Sequence, residues 1–148
     1  MIDLAEYLRP DRMIVLGRAA RDAIVRALLG VCLRDAAGLS AAARAAALDG
    51  AHQMKDQPLD GGFALTHARI AEGDEILLSV GLLGAPRPFG RGGLAHTVIC
   101  ALIPESRSRE YLSLLARLSR LLTAPGAETA FRSADPETVA RFVREFRT

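Results

Sequence analysis

Of the three histidines in the chain, His52, His67 and His96, the second stands in the setting best suited to a reaction. It follows Asp60-Gly61-Gly62-Phe63-Ala64-Leu65-Thr66 and precedes Ala68-Arg69-Ile70. An apolar run bounded by glycine reads as a short strand. His67 is then expected where the strand gives way to a loop, a usual place for a reactive side chain carried on a rigid scaffold. A neutral imidazole offers a nucleophilic nitrogen near pH 7, and Arg69 is the nearest cation in sequence. A lone histidine at a strand end is more often a hydrogen-bonded structural residue, so residue type and spacing leave both roles open. The three histidines are too far apart for a compact metal motif, and no carboxylate falls at a helpful offset. Gly90-Arg91-Gly92-Gly93 lacks the Lys-Ser/Thr pair of a nucleotide-cradling loop. Neither a metal nor a cofactor is expected.

The 148 residues are enough for one domain, 1–148, with a core of its own. Half of them are apolar and 24% are charged, as in an ordinary globular chain. A net charge of +2 is too small for a nucleic-acid footprint, which needs clustered basic residues. Cys32 and Cys100 lie inside apolar runs without metal-like spacing and read as buried free thiols. The first residues are too acidic and interrupted for a signal peptide. No apolar stretch reaches the roughly 20 residues needed to cross a bilayer. A cytoplasmic protein with no direct membrane insertion is expected.

The elements that must position His67 follow from periodicity. One or two helical turns over residues 2–8 end at Arg9-Pro10, and 13–16 is a short strand closed by Gly17. Ile24, Leu28 and Val31 mark the buried stripe of a helix from 18 to about 34. Ser40 caps a second, alanine-rich helix from 41 to about 54. Residues 55–60 read as a polar loop leading into the His67 strand, and 71–74 as a turn. The nearly unbroken apolar runs at 75–83 and 97–103 suit strands covered on both faces, which places helices on both sides of the sheet. A long turn-rich connection, 85–93, joins them. Ser106 or Ser108 caps a leucine-rich helix running to about 123, buried along Tyr111, Leu115, Leu118 and Leu122. A short helix follows at about 128–132. Asp135-Pro136-Glu137 then opens a last amphipathic helix carrying Val139, Phe142, Val143 and Phe146.

The segment Gly62-Phe63-Ala64-Leu65-Thr66-His67-Ala68-Arg69 resembles the active-site segment of the type-2 enzyme IIA domains of the bacterial phosphotransferase system, the fructose/mannitol and nitrogen-regulatory branch. Those typically read Gly-hydrophobic-Ala-hydrophobic-Pro-His, then a small and a basic residue. The order of elements is similar along nearly the whole chain. The resemblance implies an α/β fold, a three-layer α/β/α sandwich around a small mixed β-sheet. It also implies that His67 accepts a phosphoryl group from a histidine-containing phosphocarrier protein, with Arg69 and Thr66 as its candidate supports.

Several positions depart from the family pattern, among them His52 where a glutamate often follows the arginine and Asp56-Gln57-Pro58 in place of a Ser-Thr-Gly-like segment. Ala51 stands where an arginine is usual at the end of the preceding helix. Tyr111 replaces a second histidine at the start of the leucine-rich helix, Thr66 replaces the proline, and His96 replaces an aspartate. His52, Arg69, Arg91 and Arg109 are the groups that could restore positive charge. The expected function is therefore that of a stand-alone, nitrogen-regulatory type of IIA phosphocarrier, which regulates a transporter, a sensor kinase or a metabolic enzyme. A second expectation is a binding module that keeps the fold but no longer transfers phosphate. A third is a sugar-transport IIA component.

Overall fold

The computed structural model describes residues 2–34, 36–91 and 93–146. Five strands form one mixed sheet: β1 (Met13–Val15), β2 (Lys55–Leu59), β3 (Phe63–Ile70), β4 (Leu77–Pro88) and β5 (Leu94–Pro104), in the order β1-β4-β5-β3-β2. β1 runs parallel to β4, and β3 runs parallel to β5. β4/β5 and β2/β3 are antiparallel hairpins. Around the sheet, among the described residues, lie six helices: α1 (Leu4–Tyr7), α2 (Arg21–Arg34), α3 (Ala41–Asp49), α4 (Ser108–Leu122), α5 (Ala127–Arg132) and α6 (Pro136–Glu145).

Alternation along the strands divides the core in two. Phe63 and Leu65 of β3, Leu78, Val80 and Leu82 of β4, and Ile99, Ala101 and Ile103 of β5 pack with α1, α4, α5 and α6. Ala64, Leu77, Leu83, Val98, Cys100 and Leu102 face α2 and the short turn at residues 51–53. Both faces are covered, as the apolar runs of β4 and β5 require. The result is the expected α/β/α sandwich. α3 contributes no buried residue and leaves a cleft of about 540 Å³ above the sheet, lined by Ala43, Ala47, Met54, Ala68, Ile70 and others.

Several boundaries differ from those the sequence suggests. Residues 55–59 form β2 rather than a loop. Its proline is tolerated because β2 is an edge strand, where one N–H can be spared. The connection expected over 85–93 shrinks to a tight turn, because β4 continues through a register shift near Gly84 to Pro88. A backbone bond from Phe89 N–H to Gly93 C=O (3.0 Å) closes that turn; Gly92 lies outside the described residues. The second helix stops at Asp49, after which residues 51–53 form a 3-10 turn. Ser40 does cap it, accepting from Ala43 N–H at 3.1 Å. The leucine-rich helix begins at Ser108 without a side-chain cap, since Arg107 occupies that position.

The β2–β3 turn explains the glycine pair. Gly61 and Gly62 have φ of +84° and +85°, a region that L side chains adopt at a cost of roughly 1–2 kcal/mol. His96 packs directly on Gly62: a Cβ there would lie 2.6 Å from the imidazole Cδ2. The His96 ring is fully buried, with Nε2 2.7 Å from the Gly61 carbonyl and Nδ1 2.8 Å from the Thr97 hydroxyl. A carbonyl only accepts, so Nε2 carries the proton and Nδ1 accepts from Thr97. His96 is thus a structural clasp on the turn. Gly62→Ala is predicted to destabilise by more than about 2 kcal/mol, adding the clash to the backbone cost. Gly61→Ala meets only ordinary contact with Phe63, at 3.5 Å or more, and is predicted to cost about 1–2 kcal/mol. Denaturant midpoints of the two variants would show the difference; equal losses would contradict it.

Candidate functional site

His67 lies inside β3, three residues before its end, and not at a strand–loop junction. β3 is longer than its glycine-bounded apolar run because β5 pairs with it as far as Ile70. Alternation puts His67 and Arg69 on the face of Phe63 and Leu65, toward α4. Phe63 anchors the start of the strand, edge-on to the rings of His96 at 4.7 Å and Phe131 at 5.1 Å. The register then delivers a half-buried His67 to the sheet's edge region. Among the described residues no hydrogen bond holds its ring.

Two cations flank it. Lys55 is the cross-strand partner of His67 in the β2–β3 ladder, a relation that brings Cβ atoms to about 4.5–5.5 Å on one face. Arg69, two residues along the same face, reaches across to the hydroxyl of Ser108 at the start of α4. Burial first, then the charges of Lys55 and Arg69, push the His67 pKa below its ordinary value, with Asp56 opposing. The ring is therefore neutral at pH 7, with a free lone pair. Tyr111, in the first turn of α4, completes the surroundings with its ring centroid 6.3 Å from that of His67. Tyr111, which stands where the resembled pattern has a second histidine, thus lies beside His67.

The other candidates are placed elsewhere. Thr66, expected to support His67, is turned by the same alternation to the α2 face. There it is fully buried opposite Asp56, with no hydrogen-bond partner for its hydroxyl among the described residues. His52 is exposed in the turn at residues 51–53, outside the strand pair. Arg91 lies in the β4–β5 turn, at the end of β5 remote from Ala101, the residue paired with His67. Arg109 lines a separate cleft with Ile2 and Arg117. His67 is not among the lining residues of the 540 Å³ cleft, which lies mainly on the other face of β3.

Lys55 is the neighbour of His67 that sequence alone does not reveal. The hairpin was signalled: a polar run followed by Asp-Gly-Gly and then an apolar run is a hairpin pattern. What holds β2 in place is Arg21, the first residue of α2. It forks onto both oxygens of Asp56 (3.0 and 2.7 Å) and donates to the carbonyls of Ala51 (2.7 Å) and Met54 (2.8 Å). Asp56 thereby ties the back of β2 to α2, while its neighbour Lys55 faces His67.

No family model matches the sequence, and no curated protein does. Solved structures match the fold. The Neisseria meningitidis nitrogen regulatory protein IIA-Ntr superposes with a TM-score of 0.75 at 18% identity, covering 95% of this chain and 98% of its own. A phosphotransferase-system IIA protein of Streptococcus mutans gives 0.72 at 15%, over 98% and 94%. The mannitol-specific cryptic phosphotransferase enzyme IIA of Escherichia coli gives 0.70 at 16%, over 98% and 100%. The chain has the fold of a phosphotransferase-system IIA domain. Among the described residues, no helix is long and apolar enough to cross a membrane, and no group of three or more metal-ligating side chains forms.

A titration follows from these electrostatics. Because the folded-state pKa of His67 lies below the unfolded value of about 6.5, the folded protein binds fewer protons just below that pH. His67 is thus predicted to lower stability as pH falls through that window and to be neutral in effect above it. By NMR its midpoint is expected below about 6.5 and should move up in Lys55→Gln. A midpoint at or above the ordinary value would contradict the arrangement.

Proposed function

We propose that this protein is a IIA-type phosphocarrier of the nitrogen-regulatory kind, which accepts a phosphoryl group on His67 from a phosphohistidine of a carrier protein. The observation that carries this reading is the setting of His67: half-buried, with no hydrogen bond to its ring among the described residues, and with Lys55 and Arg69 on its face, whose charges join burial in holding its pKa below the ordinary value. A histidine serving only structure looks like His96, with both ring nitrogens engaged.

In the transfer, the lone pair of a neutral His67 nitrogen attacks phosphorus while the donor's P–N bond breaks. The electron pair leaves with the donor imidazole, and His67 keeps its proton on the other nitrogen. Phosphoryl transfer asks the protein mainly for positioning and for positive charge near the equatorial oxygens. Lys55 and Arg69 supply charge where the family's arginine would, from a strand rather than from a helix end. Their effect on both partners has one sign: they disfavour the imidazolium and favour the incoming dianion. By likeness of fold, the role follows from the phosphorylation state, read by a transporter, sensor kinase or metabolic enzyme in the cytoplasm.

A second reading, a docking module without phosphate transfer, draws on Ala51, which supplies no cation of its own where the family pattern has an arginine; the guanidinium that reaches this turn, that of Arg21, is bound to the Ala51 and Met54 carbonyls and to Asp56. Incubation with phosphoenolpyruvate, enzyme I and a charged phosphocarrier separates the two. The expected result is a gain of one acid-labile phosphoryl group by intact mass, lost in His67→Ala. Lys55→Gln is predicted to slow acceptance about tenfold, less than the 100-fold or more of a buried oxyanion donor, because Lys55 is exposed and screened. No gain from a donor shown to be charged would favour the docking module.

A further inference from the structure

Tyr111 is the buried polar residue beside His67 to which phosphoryl acceptance by His67, Lys55 and Arg69 assigns no task. Only 7% of it is exposed, and its hydroxyl is buried with no hydrogen-bond partner among the described residues. The chain's other tyrosine has its partner, since the Tyr7 hydroxyl donates to Glu110 at 2.9 Å. Native proteins satisfy nearly all buried polar groups, because an orphan keeps its full desolvation penalty. An orphan hydroxyl on a ring whose centre lies 6.3 Å from that of a reactive histidine therefore points to an acceptor that is present only part of the time.

The surroundings say what that acceptor is. Desolvation pushes the Tyr111 pKa up to about 12, so at neutral pH the phenol is a donor and not an anion. The Arg69 charge acts to lower the pKa of the phenol and of the His67 imidazole alike, and its guanidinium reaches Ser108, three residues before Tyr111 in α4. A group attached to His67 would share this face of the sheet with Tyr111, Arg69 and Lys55. Three donors, two of them charged, suit an anion with several oxygens.

We infer that the Tyr111 hydroxyl donates a hydrogen bond to the phosphoryl group on His67, completing with Lys55 and Arg69 a three-donor cradle. This rests on His67 being the phosphoryl acceptor. Tyr111 acts in the transfer by stabilising an equatorial oxygen, and it carries no phosphate itself. The chemistry needs a neutral donor here, since a second imidazolium would add to the charge of Lys55 and Arg69.

Chemical loading by phosphoramidate tests this without a protein donor. The His67 nitrogen forms its bond to phosphorus, the P–N bond of phosphoramidate breaks, and the amine leaves as ammonia with the electron pair. Loading rates of wild type, Tyr111→Phe and Tyr111→His would be followed by phosphorus NMR beside the Tm of each. Tyr111→Phe is expected to load at least about tenfold more slowly while its Tm stays level or rises, because it removes an unsatisfied buried hydroxyl. Tyr111→His, which restores a ring N–H donor, should recover much of the rate. A purely structural tyrosine would give the reverse, a lower Tm at unchanged rate, and would overturn the inference, as would a wild type that phosphoramidate does not load. Tyr111-dependent chemical loading with none from the charged phosphocarrier would support the cradle and sink the carrier reading alone.

Discussion

The site depends on one ion pair. β2 is five residues long, polar, interrupted by Pro58 and open along one edge, so it has little apolar area with which to hold its register. The fork between Arg21 and Asp56 supplies what packing does not. Both side chains are mostly withdrawn from water, at 16% and 20% exposure. The guanidinium spends its remaining donors on the Ala51 and Met54 carbonyls and on the Asp22 carboxylate (2.9 Å), and lies 5.9 Å from the Phe89 ring centre. Removing one partner of a buried pair costs about 3–5 kcal/mol, and this half-dry pair belongs near the lower end. Loss of the fork would free Asp56 and, with it, the strand position of Lys55.

From that anchor the alternation of two strands sorts the chemistry. Asp56 and Thr66 look toward α2 and serve the scaffold; Lys55 and His67 look toward α4 and face solvent. A one-residue slip in the β2–β3 register would exchange these pairs. The turn that fixes the register is itself held by His96, which bonds the Gly61 carbonyl and leaves no room for a side chain at Gly62. His96 is thus part of the support for the strand that carries His67.

The layers, the glycine turn and the amphipathic helices were legible because each rests on local periodicity or on a single residue's conformational need. Leu78, Val80 and Leu82 alternate with Leu77, Ser79 and Leu83 in a run that only a sheet covered twice accommodates. His67 was legible as a nucleophile candidate from Gly62-Phe63-Ala64-Leu65-Thr66-His67. Lys55 and Thr66 were not assigned correctly, for one reason: whether a residue near the histidine in sequence is near it in space depends on strand register, and β2 carries no hydrophobic alternation to announce it. Tyr111 was legible as a departure from the family pattern. Its orphan hydroxyl was not, because hydrogen-bond satisfaction is a property of the folded environment.

The central claim is that His67 is an untethered ring, held below its ordinary pKa by burial and by Lys55 and Arg69, and ready to accept a phosphoryl group. Imidazole nitrogen spectra, recorded at neutral pH before and after exposure to a charged phosphocarrier, address it directly. The account predicts that His67 starts neutral and that its ring signals alone change to those of a phosphorylated imidazole, with His96 held as its Nε2–H tautomer throughout. A His67 ring that starts protonated, or a change at His52 in its place, would contradict it.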